Sequence, residues 1–120
     1  MSSILIVDDD PTICLAMGEV LKIDGHQVET VYDGESALKL IQKTPFDLII
    51  LDIFMPEKDG FEIIGDVRRL FHGIKILAMS GYNEYGFDPL VYAQSLGADH
   101  VLSKPFPAEV LSAAIQELLD

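Results

Sequence analysis

The sequence predicts a three-layer α/β domain: a five-stranded parallel sheet doubly wound by five helices. Three observations lead there. Short β-branched or aliphatic runs alternate with longer stretches of helical periodicity, five times in succession. The runs Ile4–Val7 and Leu48–Leu51 are continuously apolar rather than alternating, as expected of parallel strands covered on both faces. A chain of 120 residues, 49% hydrophobic and 23% charged, builds one core, so residues 1–120 are expected to form a single domain. Right-handed crossovers then put helices on both sides of the sheet.

Taken in order, the strands are Ser3–Val7, Gln27–Tyr32, Leu48–Leu51, Lys75–Met79 and Val101–Ser103. The first helix, Thr12–Ile23, carries Ile13, Ala16, Met17, Val20 and Leu21 at helical spacing. Asp10 can cap it, Pro11 suits its first turn and Gly25 stops it. Cys14, the sole cysteine, falls on that helix and reads as a core or half-buried thiol. Ala37, Leu38 and Ile41 mark a second helix from Glu35 to Lys43, closed by Thr44-Pro45. Phe61, Ile64, Val67 and Leu70 or Phe71 mark a third. A weaker fourth spans Pro89–Leu96 and stops at Gly97. The fifth follows Pro107, with Val110, Leu111, Ala114, Ile115, Leu118 and Leu119.

Composition excludes several classes. The 20 acidic against 8 basic residues give a net charge of −12, which repels nucleic-acid phosphates. One cysteine provides neither a disulfide framework nor a cysteine metal cluster. No basic stretch precedes an apolar run at the start, and no apolar run nears the ~18 residues of a membrane span. The expectation is a cytoplasmic protein with no direct nucleic-acid or membrane contact.

In such sheets the functional crevice lies at the carboxyl ends of the strands. The first strand ends in Asp8-Asp9-Asp10. Two carboxylates about 5 Å apart repel by roughly 3 kcal/mol at an effective dielectric near 20, so three in a row need a reason. Helix capping accounts for Asp10 and leaves Asp8 and Asp9 unexplained. Asp52 ends the most apolar strand, as either a loop cap or a partner of Asp8 and Asp9. Oxygen ligands without His or Cys suit a hard cation such as Mg²⁺, which would relieve their repulsion. Ser80 ends the fourth strand, where serine is also an ordinary turn residue. Lys104 follows the fifth directly, either as a surface lysine offsetting the acidic edge or as part of the site. Carboxylates, a hydroxyl and an ammonium around one point suit phosphoryl chemistry: a carboxylate attacks in line while cationic and hydroxyl groups hold the phosphoryl oxygens.

With these residues in place the whole chain resembles the receiver domain of bacterial two-component response regulators, and in particular the chemotaxis regulators. The resemblance rests on Val7-Asp8-Asp9, Leu51-Asp52 followed by Met55-Pro56 and Asp59-Gly60, Met79-Ser80-Gly81, and Lys104-Pro105-Phe106. It implies a flavodoxin-like fold and a regulatory phospho-acceptor that catalyses only its own phosphorylation and dephosphorylation. Asp52 would accept the phosphoryl group. Asp8, Asp9, Asp52 and the Phe54 backbone carbonyl would hold Mg²⁺. Ser80 and Lys104 would hold the phosphoryl oxygens, and Lys104 would also pair with the unmodified acids. The Lys104-Pro105 bond is commonly cis in this family. Implied partners are a sensor histidine kinase or histidine phosphotransfer protein and a downstream effector or output domain, with a phosphorylation-dependent homodimer also open.

Two features depart from the family pattern. Val101 stands where a switch aromatic is usual, so Tyr82 or Tyr85, in a long loop over Gly81–Asp88, is expected to do part of that work. Phe54 and Tyr82 beside the acceptor are expected to restrict water and prolong the phosphoryl lifetime. Two other classes remain open at this level. Asp8-Asp9-Asp10-Pro11-Thr12 also resembles the nucleophile motif of haloacid-dehalogenase-type phosphatases, with Asp8 as nucleophile and Asp10 as acid/base. The third class is a receiver-like interaction module that is never phosphorylated. The chain stops at Asp120 with no output domain in view.

Overall fold

A computed structural model describes residues 2–54, 60–81 and 89–120. The elements run β1 (Ser3–Val7), α1 (Pro11–Ile23), β2 (Gln27–Val31), α2 (Gly34–Lys43), β3 (Leu48–Asp52), α3 (Gly60–Leu70), β4 (Lys75–Ser80), α4 (Pro89–Leu96), β5 (His100–Ser103) and α5 (Ala108–Leu119). The sheet is wholly parallel, in the order β2-β1-β3-β4-β5. The order reverses at β1, so the carboxyl ends of β1 and β3 flank the crevice. Every residue of β3 is buried and β1 is buried from Ile4 to Val7, as their unbroken apolar runs require of central strands. The edge strands β2 and β5 have no fully buried residue.

Alternate side chains of the strands feed two cores. Leu5, Val7, Ile49, Leu51, Ile76 and Ala78 pack with Ala37, Ile41, Ile63, Ile64, Val67 and Ala93 from α2, α3 and α4. Ile4, Ile6, Leu48, Ile50, Leu77 and Met79 pack with Cys14, Met17, Leu21, Leu111 and Ile115 from α1 and α5. The α1 face is turned by about one residue from the sequence expectation. Cys14, Met17, Gly18 and Leu21 are buried, Ile13 and Val20 flank them, and Ala16 faces solvent. A small alanine gains little by burial, and α1 instead turns Cys14, Met17 and Leu21 into the core.

The predicted punctuation is present. The Asp10 side chain accepts hydrogen bonds from the Thr12 and Ile13 amides at the start of α1. Gly25 (φ +94°) and Gly97 (φ +118°) take the left-handed conformation just past α1 and α4. The His26 amide bonds back to the Leu21 carbonyl at 3.1 Å, and the Ala98 amide to the Ala93 carbonyl at 3.1 Å, which closes both helix ends. At the amino-terminal edge of β4, Arg68 ties three segments together. Its guanidinium donates to the carbonyls of His72, Ile74 and Gly97 and to Asp99, whose carboxylate also accepts the Ile76 amide.

Gly60 opens α3 under a steric constraint. A Cβ there would stand 2.4 Å from the Ile53 Cα and 2.9 Å from the Asp52 and Ile53 carbonyl oxygens, all backbone. The Gly60 amide donates to the Ile53 carbonyl at 2.7 Å. The start of α3 therefore rests directly on the segment leaving β3. Gly60→Ala is expected to cost about 3 kcal/mol or more, because two backbone segments must separate; urea unfolding checks it, and a loss below 1 kcal/mol would contradict this packing.

Candidate active site

The carboxyl ends of β1 and β3 bring Asp8, Asp9 and Asp52 together, with one carboxylate oxygen from each lying within 4.8 Å of the others. Asp8 and Asp52 are 1% and 6% exposed, while Asp9 is open to solvent. From the end of β5, Lys104 reaches into the same point. Its Nζ lies 2.9 Å from Asp8 Oδ2 and 3.3 Å from Asp52 Oδ2. The remaining oxygens are also oriented: Asp8 Oδ1 accepts the Asp10 amide at 3.0 Å, and Asp52 Oδ1 accepts the Phe54 amide at 3.1 Å. Lys104 is itself placed by its backbone, whose amide donates to the Ser80 carbonyl at 2.9 Å, and it precedes Pro105 through a cis peptide bond. Ser80, at the end of β4, is buried.

The chain is similar to known proteins over nearly its whole length. Residues 4–116 match the family model described as the response regulator receiver domain. The chain belongs to that family. Among solved structures it superposes on the chemotaxis response regulator CheY4 of Vibrio cholerae with a TM-score of 0.89, at 34% identity over 99% of both chains. A CheY-like receiver domain protein from Methanospirillum hungatei gives a TM-score of 0.93, at 31% identity over all of this chain and 94% of the other. The transcriptional regulatory protein AfsQ1 of Streptomyces coelicolor is 37% identical over 99% of this chain and 52% of its own length. The alkaline phosphatase synthesis transcriptional regulatory protein PhoP of Bacillus subtilis is 35% identical over 97% of this chain and 48% of its own. The chain thus spans about half the length of these two relatives.

This receiver domain is a signalling domain of two-component systems, and the phosphatase alternative is not favoured. Asp10, its acid/base candidate, is engaged in capping α1. The other sequence-predicted residues fall as follows. Phe54 is half-buried beside Asp52, and its ring meets Phe61 edge-on. Val101 is half-buried in β5 and packs against the core under α2, α3 and α4. Tyr82 and Tyr85, with most of the Gly81–Asp88 loop, lie outside the described residues, as do Met55-Pro56 and Asp59. No helix among the described residues is long and apolar enough to cross a membrane.

The pocket carries electrostatic tension. Burial pushes the Asp52 carboxyl up from 3.8 to about 6; Lys104 opposes the rise and Asp8 adds to it. Burial works against the Lys104 ammonium, but the hydrogen bond to Asp8 and the charges of Asp52 and Asp8 outweigh it and hold the group above its ordinary 10.5. One ammonium thus faces two buried carboxylates, with Asp9 adding a third acid at the rim. The donor set fits a hard divalent cation, because three carboxylates converge with no imidazole among them. Burial, then Asp8 and Asp10, push the Cys14 thiol up to about 11, and its Sγ is 3.4 Å from the Asp8 carbonyl oxygen.

Sequence reasoning missed two contributors. Gly81 lies under the Lys104 stem, where a Cβ would stand 3.2 Å from Lys104 Cβ. Cys14 supports the Asp8 backbone from behind. Neither leaves a local signal, since both contacts join separate elements.

Proposed function

We propose that residues 1–120 form a phospho-acceptor domain in which Asp52 receives a phosphoryl group in a Mg²⁺-dependent reaction. One observation carries this reading: two buried carboxylates and a third at the rim converge at the strand ends, bridged by a single lysine. Asp8, Asp9, Asp52 and the Phe54 backbone carbonyl are the proposed Mg²⁺ ligands. When bound, the metal supplies positive charge to the phosphoryl oxygens.

The chemistry of the chain's own residues follows. An Asp52 oxygen attacks the phosphorus of a phosphohistidine on a sensor histidine kinase or phosphotransfer protein. The O–P bond forms in line as the P–N bond breaks, and the bonding pair leaves on the imidazole nitrogen. Lys104 holds one phosphoryl oxygen with its ammonium and the Ser80 hydroxyl donates to another. Water later cleaves the mixed anhydride and returns Asp52 to the carboxylate, so the domain turns over only its own modification. Occupancy of Asp52 shifts a two-state equilibrium by about 1–3 kcal/mol, an ordinary coupling size. That shift is read by an effector, an output domain or a second copy of the chain. Val101 fills the position of the usual switch aromatic without supplying a ring. With a net charge of −12 the domain is not itself a nucleic-acid reader, and the reading places it in the cytoplasm.

Incubation with acetyl phosphate and Mg²⁺, followed by borohydride trapping and peptide mass spectrometry, tests the assignment. Label on Asp52, abolished in Asp52→Asn, is expected. Label on Asp8 would restore the phosphatase reading, and no label at all would point to a non-phosphorylated module.

A further inference from the structure

Beside Asp52 begins a continuous file of rings that the phosphoryl chemistry does not use. Phe54 and Phe61 meet edge-on, with centroids 6.3 Å apart and planes at 86°. Phe61 and Tyr92 meet in the same manner at 4.8 Å and 73°. Both spacings lie in the range of attractive, orientation-dependent aromatic pairs. The file spans three elements, from the segment after β3, through the first turn of α3, to α4. At one end the Phe54 amide is hydrogen-bonded to Asp52 Oδ1. At the other the Tyr92 ring reaches solvent, 46% exposed, next to the exposed Val91. Phe54 and Phe61 are half-buried and also pack on the core beneath α2, α3 and α4.

We infer that Phe54, Phe61 and Tyr92 form an aromatic relay that reports the state of Asp52 on the exposed face of α4. The inference rests on the proposed function, since it needs Asp52 to change state. Phosphorylation or metal binding at Asp52 alters the carboxylate that holds the Phe54 amide, and so biases the backbone that carries the Phe54 ring. A close-packed interior cannot absorb that motion as empty space. Phe61 touches both neighbours through geometry-sensitive contacts, so its ring follows and Tyr92 must re-seat. Position 101 contributes no ring to this route.

The test uses the whole chain labelled with 3-fluorotyrosine and read by fluorine NMR, with Tyr92 assigned through Tyr92→Phe. Beryllium fluoride with Mg²⁺ serves as the phosphoryl mimic. The Tyr92 signal is expected to shift in step with the Asp8 and Phe54 amide signals. In Phe61→Leu or Phe61→Met the amide shifts should persist while the Tyr92 shift falls at least threefold; Phe61→Tyr, which keeps the ring, should retain it. An undiminished Tyr92 shift without a ring at 61, or a silent Tyr92 in the unmutated protein while the amides move, overturns the relay. If the amides themselves stay still, the proposed function fails and the relay with it.

Discussion

Replacing Lys104 with alanine is expected to destabilise the metal-free protein by roughly 3–5 kcal/mol, the usual cost of removing one partner from a buried ion pair. Asp8 is 1% exposed and Asp52 only 6%, so neither can recover its lost partner by turning to water. The loss should be electrostatic rather than a matter of volume, because the Lys104 Nζ touches both carboxylates at once. Lys104→Met, which keeps a long apolar stem, should therefore fall with the alanine variant. Urea unfolding in chelator measures both, and Mg²⁺ should return part of the loss by replacing the missing positive charge. A Lys104→Ala protein within 1 kcal/mol of the unmutated one would show that the acids are not held in tension. The linkage sign is also fixed: the folded-state Lys104 value lies above 10.5, so its contribution is complete below that pH and fades as pH rises through the folded value.

Asp52→Asn should act in the opposite direction. In the folded chain the Asp52 carboxyl is raised from 3.8 to about 6, with burial as the main cause. The native state then holds a proton more tightly than the unfolded chain, so stability falls as pH rises between those two values. At neutral pH the ionised group costs roughly 3 kcal/mol in the absence of metal. Asparagine removes the charge and keeps a carbonyl oxygen for the Phe54 amide. The variant should unfold at higher urea than the unmutated protein at pH 7 and lose the advantage toward pH 4. Parallel stability profiles for the two proteins from pH 4 to 7 would contradict the strained-pocket reading. The same variant should accept no phosphoryl label, which ties the strain and the chemistry to one side chain.

The architecture was legible because central parallel strands advertise themselves. Leu48-Ile49-Ile50-Leu51 and Ile4-Leu5-Ile6-Val7 leave no polar face, and both are buried throughout. Asp10, Gly25 and Gly97 punctuate the helices as their side chains, or lack of them, dictate. The register of α1 was less legible: Cys14 and Met17 were expected in the core and are buried, but hydrophobicity alone ranks Ala16 with Met17, and only packing on the sheet turns Ala16 to solvent. In the site, Asp8, Asp9 and Asp52 were visible as acids at strand ends, whereas the reach of Lys104 depends on the β5 backbone that carries it. Arg68 was invisible. A basic residue in the last turn of a helix reads as a dipole complement, yet its guanidinium closes the opposite edge of the sheet through four partners. The stricture at Gly60 and the file from Phe54 to Tyr92 were hidden for the same reason: close approach between segments distant in sequence has no local signature.

In the proposed function Asp8, Asp9 and Asp52 make one Mg²⁺ pocket, and relief of their repulsion primes Asp52 for chemistry. Thermal unfolding across a Mg²⁺ titration at pH 7 measures this directly, because a ligand that binds only the folded state raises its melting temperature by mass action. A saturable rise is expected, lost in Asp9→Asn and sharply reduced in Asp52→Asn. A melting temperature indifferent to Mg²⁺, or raised equally in all three proteins, would contradict it.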